Sequence, residues 1–236
     1  MSFALENRLD VAAGVVLWPE ALPRRAQEDL VREVFARAEK APFYRPVMPK
    51  SGKPFSVEET NFGTLGWVSD IGGYRYEALH PATRAPWPHI PDVLLALWAA
   101  TRQCSDGPEC CLVNRYAAAA RMGLHQDRDE AEMDAPVLSV SLGDEALFRI
   151  GGTTRRGPTA SLKLRSGDVL MFGGPARLAF HGVDRIVSGT SSLIAGGGRI
   201  NLTLRRVTPL ALKEKTPDQG ADRASHAPLR AGAGRG

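Results

Sequence analysis

Two histidines and an aspartate in this 236-residue chain have the side chains and the spacing of a metal site. His125 and Asp127 are two residues apart, so on an extended segment both side chains point to the same side. His181 lies far downstream in a strand-like context and offers a second imidazole. Two histidines and one carboxylate on one face of a metal leave open positions, as in non-haem iron sites. The alternative is a surface histidine beside a turn aspartate, because an isolated H-x-D pair is common.

A second group of polar side chains lies on a strand predicted over residues 199–206. Ile200, Leu202 and Leu204 share one face of it, and the other face carries Arg199, Asn201, Thr203 and Arg205. At a strand rise of ~3.3 Å the two arginines are roughly 20 Å apart, so their long side chains could hold the two ends of a small dicarboxylate. Upstream, two residues that share a face offer neutral hydrogen bonds: Asn114 and Tyr116. The alternative is a solvated strand face with ordinary surface arginines.

The elements that would position these side chains are mainly strands. An amphipathic helix is predicted to begin after Pro23, with apolar residues Leu30, Val31, Val34, Phe35 and Ala38 on one face. A second helix is predicted from about Pro91 to Thr101, with an apolar stripe of Val93, Leu94, Leu97 and Trp98. Residues 1–20 are predicted to be extended, and the aromatic-rich region 42–90 to form short strands with long loops. From Cys110 onward the apolar residues alternate, which predicts an antiparallel sandwich or jelly roll with strands at 112–116, 137–142, 146–150, 161–164, 168–172 and 199–206.

Composition excludes several classes of protein. With 43% hydrophobic and 24% charged residues, the chain is neither collagen-like nor a coiled coil nor disordered throughout. No apolar run approaches the ~20 residues of a membrane helix, so no membrane partner is expected. Three cysteines, an odd number, favour a reducing cytoplasm over a disulfide framework. The net charge of +4 gives only mild attraction to a phosphate backbone. Separately, we expect the protein to be a monomer.

Taken together, these residues resemble the AlkB family of Fe(II)- and 2-oxoglutarate-dependent dioxygenases, close to the bacterial enzymes that repair alkylated DNA. The resemblance covers about residues 15–207, and its motifs occur in the family's order and spacing. They are Thr60-Asn61, Leu65-Gly66-Trp67, Asn114-Arg115-Tyr116, Leu124-His125-Gln126-Asp127-Arg128-Asp129-Glu130, Ser139-Val140-Ser141-Leu142-Gly143, Gly167-Asp168-Val169, Gly173-Gly174, His181-Gly182 and Arg199-x-Asn201-Leu202-Thr203-x-Arg205.

The resemblance implies a mainly β, α+β fold: a double-stranded β-helix (jelly roll) core with flanking helices and an N-terminal nucleotide-recognition lid. Within a single structural domain, it implies helices, strands and lid in 1–109, the catalytic core in 110–210, and a tail in 211–236 that its composition predicts to be disordered. By the same resemblance, Fe(II) is bound by His125, Asp127 and His181, and 2-oxoglutarate by Asn114, Tyr116, Arg199, Asn201, Thr203 and Arg205. The two arginines are expected to pair with the two carboxylates of 2-oxoglutarate.

The activity that the resemblance implies is DNA repair by oxidative demethylation. Decarboxylation of 2-oxoglutarate to succinate and CO2 with O2 is coupled to hydroxylation of the methyl group of 1-methyladenine or 3-methylcytosine, and formaldehyde is released. The base must flip out of a duplex or begin single-stranded. The resemblance assigns contacts with the substrate to Trp67, Tyr74, Asp129 and Arg155, with Tyr76 beside Tyr74. Ordinary core packing is the alternative role for the three aromatic residues.

Other interpretations stay open. A family member could act on RNA or on protein side chains, and the sequence does not separate single-stranded from double-stranded DNA or DNA from RNA. A jelly-roll binding module that retains a metal without catalysis is disfavoured by the intact triad and the two arginines. Some positions depart from the family pattern: Phe172 replaces a tryptophan, Glu59 occupies a position that is apolar in some relatives, and Ala117–Ala120 lacks a Pro-Gly pair.

Overall fold

The computed structural model describes residues 3–101 and 104–209. Within them the chain forms strands, two α-helices and one short 3-10 helix. The helices are α1 (Arg24–Ala38) and α2 (Asp92–Thr101), and the 3-10 helix spans Gly174–Ala176. The strands are β1 (Leu9–Ala12), β2 (Val15–Trp18), β3 (Glu58–Gly63), β4 (Gly66–Asp70), β5 (Gly73–Glu77), β6 (Cys110–Tyr116), β7 (Met122–His125), β8 (Val137–Gly143), β9 (Glu145–Gly151), β10 (Thr159–Leu164), β11 (Val169–Phe172), β12 (His181–Val187) and β13 (Arg199–Arg205).

Two antiparallel sheets form the body of the fold. The larger sheet has the strand order β1-β2-β11-β8-β13-β6-β3, and the smaller one has the order β10-β9-β12-β7. Strands β4 and β5 form a separate hairpin. Neighbours within each sheet come from distant parts of the chain, as in a jelly roll. The predicted jelly-roll core with flanking helices is therefore confirmed.

Apolar residues cover both faces of the larger sheet. On one face, residues such as Val113, Val140 and Leu202 pack with Leu30 of α1 and Leu97 of α2. On the other, a second cluster that includes Phe148 and Leu170 fills part of the space between the two sheets. The polar residues of β13 and β6 point into the same space, because residues two apart on a strand share a face. The fold therefore places the predicted polar groups inside the jelly roll.

The predicted elements agree with the structure, with three differences. Both helices are present, but Phe35 of the predicted apolar face of α1 is 37% exposed. Strand β2 is fully buried and pairs with both β1 and β11, so it lacks the alternation that marks a half-buried strand. Strands β7 and β12 fall outside the predicted set, although His181 is expected in a strand-like context. Strand β12 carries a glycine and two charged residues in its first five positions, so it does not alternate regularly.

The division into 1–109 and 110–210 stays a prediction, and strands from both segments join the larger sheet. The predicted disordered tail, 211–236, lies outside the described residues. Among the residues that are described, no helix is long and apolar enough to cross a membrane.

Candidate active site

A cavity of about 790 Å³ opens between the two sheets and is bordered by the β4–β5 hairpin. All of the predicted metal, cosubstrate and substrate residues line it: His125, Asp127, His181, Asn114, Tyr116, Arg199, Asn201, Thr203, Arg205, Trp67, Tyr74, Asp129 and Arg155. The structure therefore brings every residue of the predicted site to one place. The roles assigned to the individual residues stay predictions.

The two histidines and the aspartate form a compact group. His125 ends β7 and His181 begins β12, and the two residues are direct partners in the antiparallel pairing of these strands. Asp127 follows β7, and its Oδ1 lies 3.6 Å from Nε2 of His125 and 3.9 Å from Nε2 of His181. One ligand atom from each residue can be chosen so that all three lie within 4.8 Å of one another. This spacing is compatible with ligands at about 2.0–2.2 Å from one ion.

Hydrogen bonds leave the inward nitrogen of each imidazole free to bind a metal. Nδ1 of His125 lies 3.0 Å from the carbonyl oxygen of Gly123, and Nδ1 of His181 lies 3.0 Å from that of Ala179. A carbonyl can only accept, so each Nδ1 donates, and the lone pair of the neutral ring is then on Nε2. Burial, with a contribution from His125, lowers the pKa of His181 to about 4 and keeps that ring neutral at neutral pH.

Asp127 is held in its ionised form by an arginine. Burial alone would raise the pKa of its carboxyl, but the guanidinium of Arg205 and the two imidazoles lower it below the ordinary value. Arg205 donates from Nε and Nη2 to Oδ2 of Asp127, at 3.1 and 2.8 Å. The other oxygen, Oδ1, faces the histidines. The aspartate thus has one oxygen bound to the protein and one directed at the candidate metal position.

A buried network behind Asp127 includes two residues without a predicted role, Arg177 and Glu130. Arg177 donates to the backbone oxygen of Asp127 at 2.6 Å and to Oε2 of Glu130 at 3.0 Å. Tyr76 donates its hydroxyl to Oε1 of Glu130, which also lies 3.5 Å from Nε of Arg205. Glu130 is the last residue of the motif that begins at Leu124, and this position is only a weak indication of a role. No sequence pattern indicates a role for Arg177, because only the folding of the chain brings it beside Asp127.

Arg199 is a buried cation without an anionic partner among the described residues. Its Nη1 donates to the carbonyl oxygens of Asp144 and Leu164, at 3.2 and 3.1 Å, and its Nη2 donates to Oγ of Ser141 at 2.7 Å. Its Nε is buried and has no hydrogen-bond partner in the described part of the chain. Burial lowers the pKa of the guanidinium to about 10. An uncompensated buried charge is costly, so this side chain fits a site that receives a carboxylate.

The remaining candidates for the cosubstrate lie between the two arginines on the cavity wall. Thr203 donates its hydroxyl to Oδ1 of Asn201 at 2.9 Å, and Asn201 donates to Oγ of Ser139 at 2.7 Å. Asn114 is the cross-strand partner of Asn201, and its Oδ1 is buried and accepts no hydrogen bond from residues 3–101 or 104–209. Arg205 also binds Asp127, and the pairing of both arginines with the carboxylates of the cosubstrate stays a prediction. The donor set fits a small dicarboxylate beside a metal.

The outer part of the cavity has an aromatic wall. The rings of Trp67 and Tyr74 are stacked, with centroids 5.4 Å apart and planes 18° apart. Asn61 fixes Trp67 by accepting from its backbone N–H at 3.0 Å and donating to its carbonyl at 2.9 Å. The indole Nε1 donates to Oδ2 of Asp129 at 2.8 Å. Across the cavity, the guanidinium of Arg155 lies 5.8 Å from the ring centre of Phe180.

Comparisons with known proteins agree with this geometry. The sequence profile of the 2OG-Fe(II) oxygenase superfamily matches residues 14–205. The alpha-ketoglutarate-dependent dioxygenase AlkB homolog of Caulobacter vibrioides (strain NA1000 / CB15N) is 58% identical over 200 residues, covering 84% of this chain and 90% of the relative. The alpha-ketoglutarate-dependent dioxygenase AlkB of Escherichia coli (strain K12) is 40% identical over 212 residues, covering 84% and 97%.

Among solved structures, that of OsALKBH1 superposes with a TM-score of 0.73 and 31% identity, over 84% of this chain and 99% of the other. The profile match and the two bacterial relatives extend over most of the chain, from β2 to the end of β13 in the case of the profile. The chain therefore belongs to the AlkB family within the 2OG-Fe(II) oxygenase superfamily, and it is a dioxygenase that uses Fe(II) and 2-oxoglutarate.

Proposed function

We propose that this enzyme removes methyl groups from N-methylated bases of DNA, of the 1-methyladenine and 3-methylcytosine type, and releases them as formaldehyde. The observation that carries the proposal is one cavity that joins three features. These are the His–Asp–His group, a buried arginine without an anionic partner, and an aromatic wall that ends in a carboxylate. The first two features suit an Fe(II)/2-oxoglutarate centre, and the third suits a flat cationic base.

In this proposal His125, Asp127 and His181 hold the iron through Nε2, a carboxylate oxygen and Nε2. When bound, Fe(II) with 2-oxoglutarate and O2 supplies the oxidising power that hydroxylates the methyl group, with succinate and CO2 as the other products. The protein's part is to position these groups. The carbonyls of Gly123 and Ala179 orient the imidazoles, and Arg205 keeps Asp127 ionised and directs one of its oxygens inward.

The two arginines would bind opposite ends of 2-oxoglutarate. Arg205 contacts a candidate metal ligand, so it lies at the end where the 2-oxo acid must meet the metal. Arg199 is six residues away on β13 and has no carboxylate of its own, which suits it to the distal carboxylate. Asn114 and Tyr116 line the same wall of the cavity and would add neutral hydrogen bonds.

Trp67 and Tyr74 would form one side of the base pocket, opposite His125. The stack of the two rings offers a flat surface, and a flipped base can be read by stacking of this kind. Asp129 is fixed beside the stack by the indole N–H of Trp67. A carboxylate at this position favours a methylated, cationic base over an unmodified neutral one. Arg155 would contact the nucleic-acid backbone.

The proposal also covers the type of nucleic acid, the oligomeric state and the cellular location. We place alkylated single- or double-stranded DNA first, in line with the resemblance to the bacterial enzymes that repair alkylated DNA, and RNA second. No described contact requires or excludes a 2′-hydroxyl. We propose a monomer in the reducing cytoplasm, where Fe(II) stays reduced. The free thiols of Cys104, Cys110 and Cys111 support that location.

A panel of oligonucleotides tests the proposed substrate. The enzyme is mixed with Fe(II), 2-oxoglutarate and oligonucleotides carrying one 1-methyladenine or 3-methylcytosine, as single-stranded DNA, duplex DNA or RNA, and formaldehyde is measured after oxygen is admitted. We expect formaldehyde with methylated DNA and none with unmodified DNA. Formaldehyde from methylated RNA alone would replace DNA by RNA as the substrate. Absence of formaldehyde with every methylated oligonucleotide would contradict the proposal.

A further inference from the structure

Glu59 is a buried acid on the cavity wall that the proposed mechanism does not use. It lies in β3, is 1% exposed and lines the cavity. Its backbone exchanges hydrogen bonds with Tyr44, at 2.8 and 2.9 Å, which fixes the residue in place. Its Oε2 is buried and has no hydrogen-bond partner among the described residues. An ionised carboxylate left in this way would be costly, whereas a neutral carboxylic acid carries a proton that it can donate.

The residue opposite Glu59 has a buried oxygen that lacks a hydrogen-bond donor among the described residues. Asn114 of β6 is its direct cross-strand partner, so the two side chains point to the same side of the sheet. The Cβ atoms of such partners are about 4.5–5.5 Å apart, within reach for polar side chains. Oδ1 of Asn114 is buried and accepts no hydrogen bond from the described residues. Two neighbouring oxygens, both without a donor, are satisfied together if one proton lies between them.

We propose that Glu59 is a positioning residue that, as a neutral carboxylic acid, donates a hydrogen bond to Oδ1 of Asn114 and thereby directs the Asn114 amide N–H groups toward 2-oxoglutarate. The amide of an asparagine can lie in either of two orientations, and only one presents donors to a carboxylate. A donor on its oxygen fixes that orientation. This inference rests on the proposed position of 2-oxoglutarate beside Asn114.

The charges around Glu59 agree with a protonated side chain near neutral pH. Burial raises the pKa of its carboxyl to about 8, although the positive charge of Arg205 opposes this rise. Burial also raises the pKa of the neighbouring Tyr44 and Tyr116 hydroxyls, which therefore stay neutral. The pKa of Arg205 lies well above its ordinary value, because Asp127 and other nearby groups outweigh its burial, so its charge is constant. Among these groups Glu59 is the one that titrates between about pH 7 and pH 9.

Ionisation of Glu59 would weaken 2-oxoglutarate binding in two ways. The side chain would lose the proton that it donates to Asn114, and a negative charge would lie on the wall that receives a dianion. If only the protonated form binds well, the competent fraction falls from about nine-tenths at pH 7 to about one-tenth at pH 9. The dissociation constant of 2-oxoglutarate should therefore rise about tenfold over this range.

The test is calorimetric titration of the full-length, Mn(II)-loaded enzyme with 2-oxoglutarate at several pH values, since Mn(II) permits binding without turnover. We expect Glu59→Gln, which keeps a neutral donor, to bind like the wild type at about pH 7 and to lose the steep rise toward pH 9. Glu59→Leu, which has no donor, should bind about tenfold more weakly at pH 7 with the same flat profile. Thermal unfolding checks that both variants are folded.

Retention of the wild-type pH dependence in Glu59→Gln would overturn the inference, and this outcome does not depend on how Glu59→Leu folds. Asn114→Ala separates this result from a misplaced cosubstrate. If Asn114→Ala binds 2-oxoglutarate as the wild type does, the proposed position of the cosubstrate is wrong and the inference falls with it. If Asn114→Ala binds weakly while Glu59→Leu binds normally, only the role of Glu59 is wrong.

Discussion

At the scale of single residues, the two arginines of β13 differ in their partners. Arg205 is neutralised by Asp127 and lies near Glu130, whereas Arg199 donates only to a hydroxyl and two carbonyls. A buried guanidinium that is hydrogen-bonded only by neutral groups has lost its hydration without gaining an ion pair. We infer that Arg199 lowers the stability of the ligand-free protein and raises its affinity for a carboxylate.

Replacement of Arg199 tests both effects, on stability and on affinity. Arg199→Met should weaken 2-oxoglutarate binding to the Mn(II)-loaded enzyme by about 100-fold, because truncation of a buried charge pair costs about 2–5 kcal/mol. Without 2-oxoglutarate, its melting temperature should equal or exceed that of the wild type, because an unpaired buried charge is gone. The matched control is Arg149→Met, since Arg149 pairs with Asp184 away from the cavity at 3.0 Å and should leave affinity unchanged. Unchanged affinity in Arg199→Met would contradict the assignment.

The buried acid Glu59 predicts a specific dependence of stability on pH. Its pKa in the folded protein, about 8, is above the ordinary value of 4.5. The stability that its proton contributes is therefore fully present below about pH 4.5 and is lost as the pH rises toward about 8. Glu59→Gln has no proton to lose, so its melting temperature should gain on that of the wild type between about pH 5 and pH 8. A constant difference across this range would show that Glu59 titrates normally.

Sequence patterns could predict residues whose positions follow from strand alternation or from a motif. His125 and Asp127 are two residues apart, and the polar side of β13 is regular, so both groups were predictable. The bond between Arg205 and Asp127 was not, because it joins residues 78 positions apart whose distance depends on the folded sheets. Arg177 is a similar case. The partnership of Glu59 and Asn114 depends on the register of β3 against β6, which a single strand cannot specify.

At the scale of elements, the pairing of β7 with β12 brings the metal ligands together. His125 and His181 are direct partners, and the register shifts just beyond them, between His181 and Val183. Gly182 lies at this irregularity. A Cβ on Gly182 would lie 2.6 Å from the carbonyl oxygen of Met122 and 2.9 Å from that of Gly123. The two backbones thus approach each other more closely than any other residue would permit.

Gly182→Ala should therefore separate β12 from β7 and spread the metal ligands. We expect Mn(II) affinity to fall by about 10- to 100-fold, the range typical when groups that orient metal ligands are disturbed. Gly123→Ala is the matched control on the facing strand, because a Cβ there meets nothing within 4 Å. Titration followed by electron paramagnetic resonance of free Mn(II) measures both variants. Equal affinity in the two would show that the close approach does not support the site.

At the scale of the whole molecule, charge contributes little to substrate choice. Of the net charge of +4, residues 213–236 contribute +2, since five of them are Lys or Arg and three are Asp or Glu. Besides Arg199, which would bind the cosubstrate, four basic residues on the cavity wall have no ion-pair partner among the described residues: Lys53, Arg121, Arg128 and Arg155. Selection should therefore come from the base pocket, with modest help from phosphate contacts.

The dependence of DNA binding on salt concentration measures the contribution of the phosphate contacts. Each phosphate contact to single-stranded DNA contributes about −0.7 to the slope of log affinity against log salt, so four basic residues give a slope no steeper than about −3. Arg155→Ala should make the slope shallower by about 0.7 and weaken binding of methylated and unmodified DNA alike. Arg149→Met should leave the slope unchanged. Fluorescence anisotropy with the Mn(II)-loaded enzyme provides the measurement, and a much steeper slope would point to a larger electrostatic surface.

In the proposed reaction, this cavity removes a methyl group from a base. The most direct test of this reaction is mass spectrometry of single-stranded DNA containing one 1-methyladenine, after incubation with the enzyme, Fe(II), 2-oxoglutarate and O2. We predict a mass loss equal to conversion of the methyl group to hydrogen, with succinate formed in at least equal amount. A folded His181→Ala variant should leave the DNA unchanged. The account would be contradicted if the mass of the DNA stayed unchanged after incubation with the wild type, or if His181→Ala removed the methyl group.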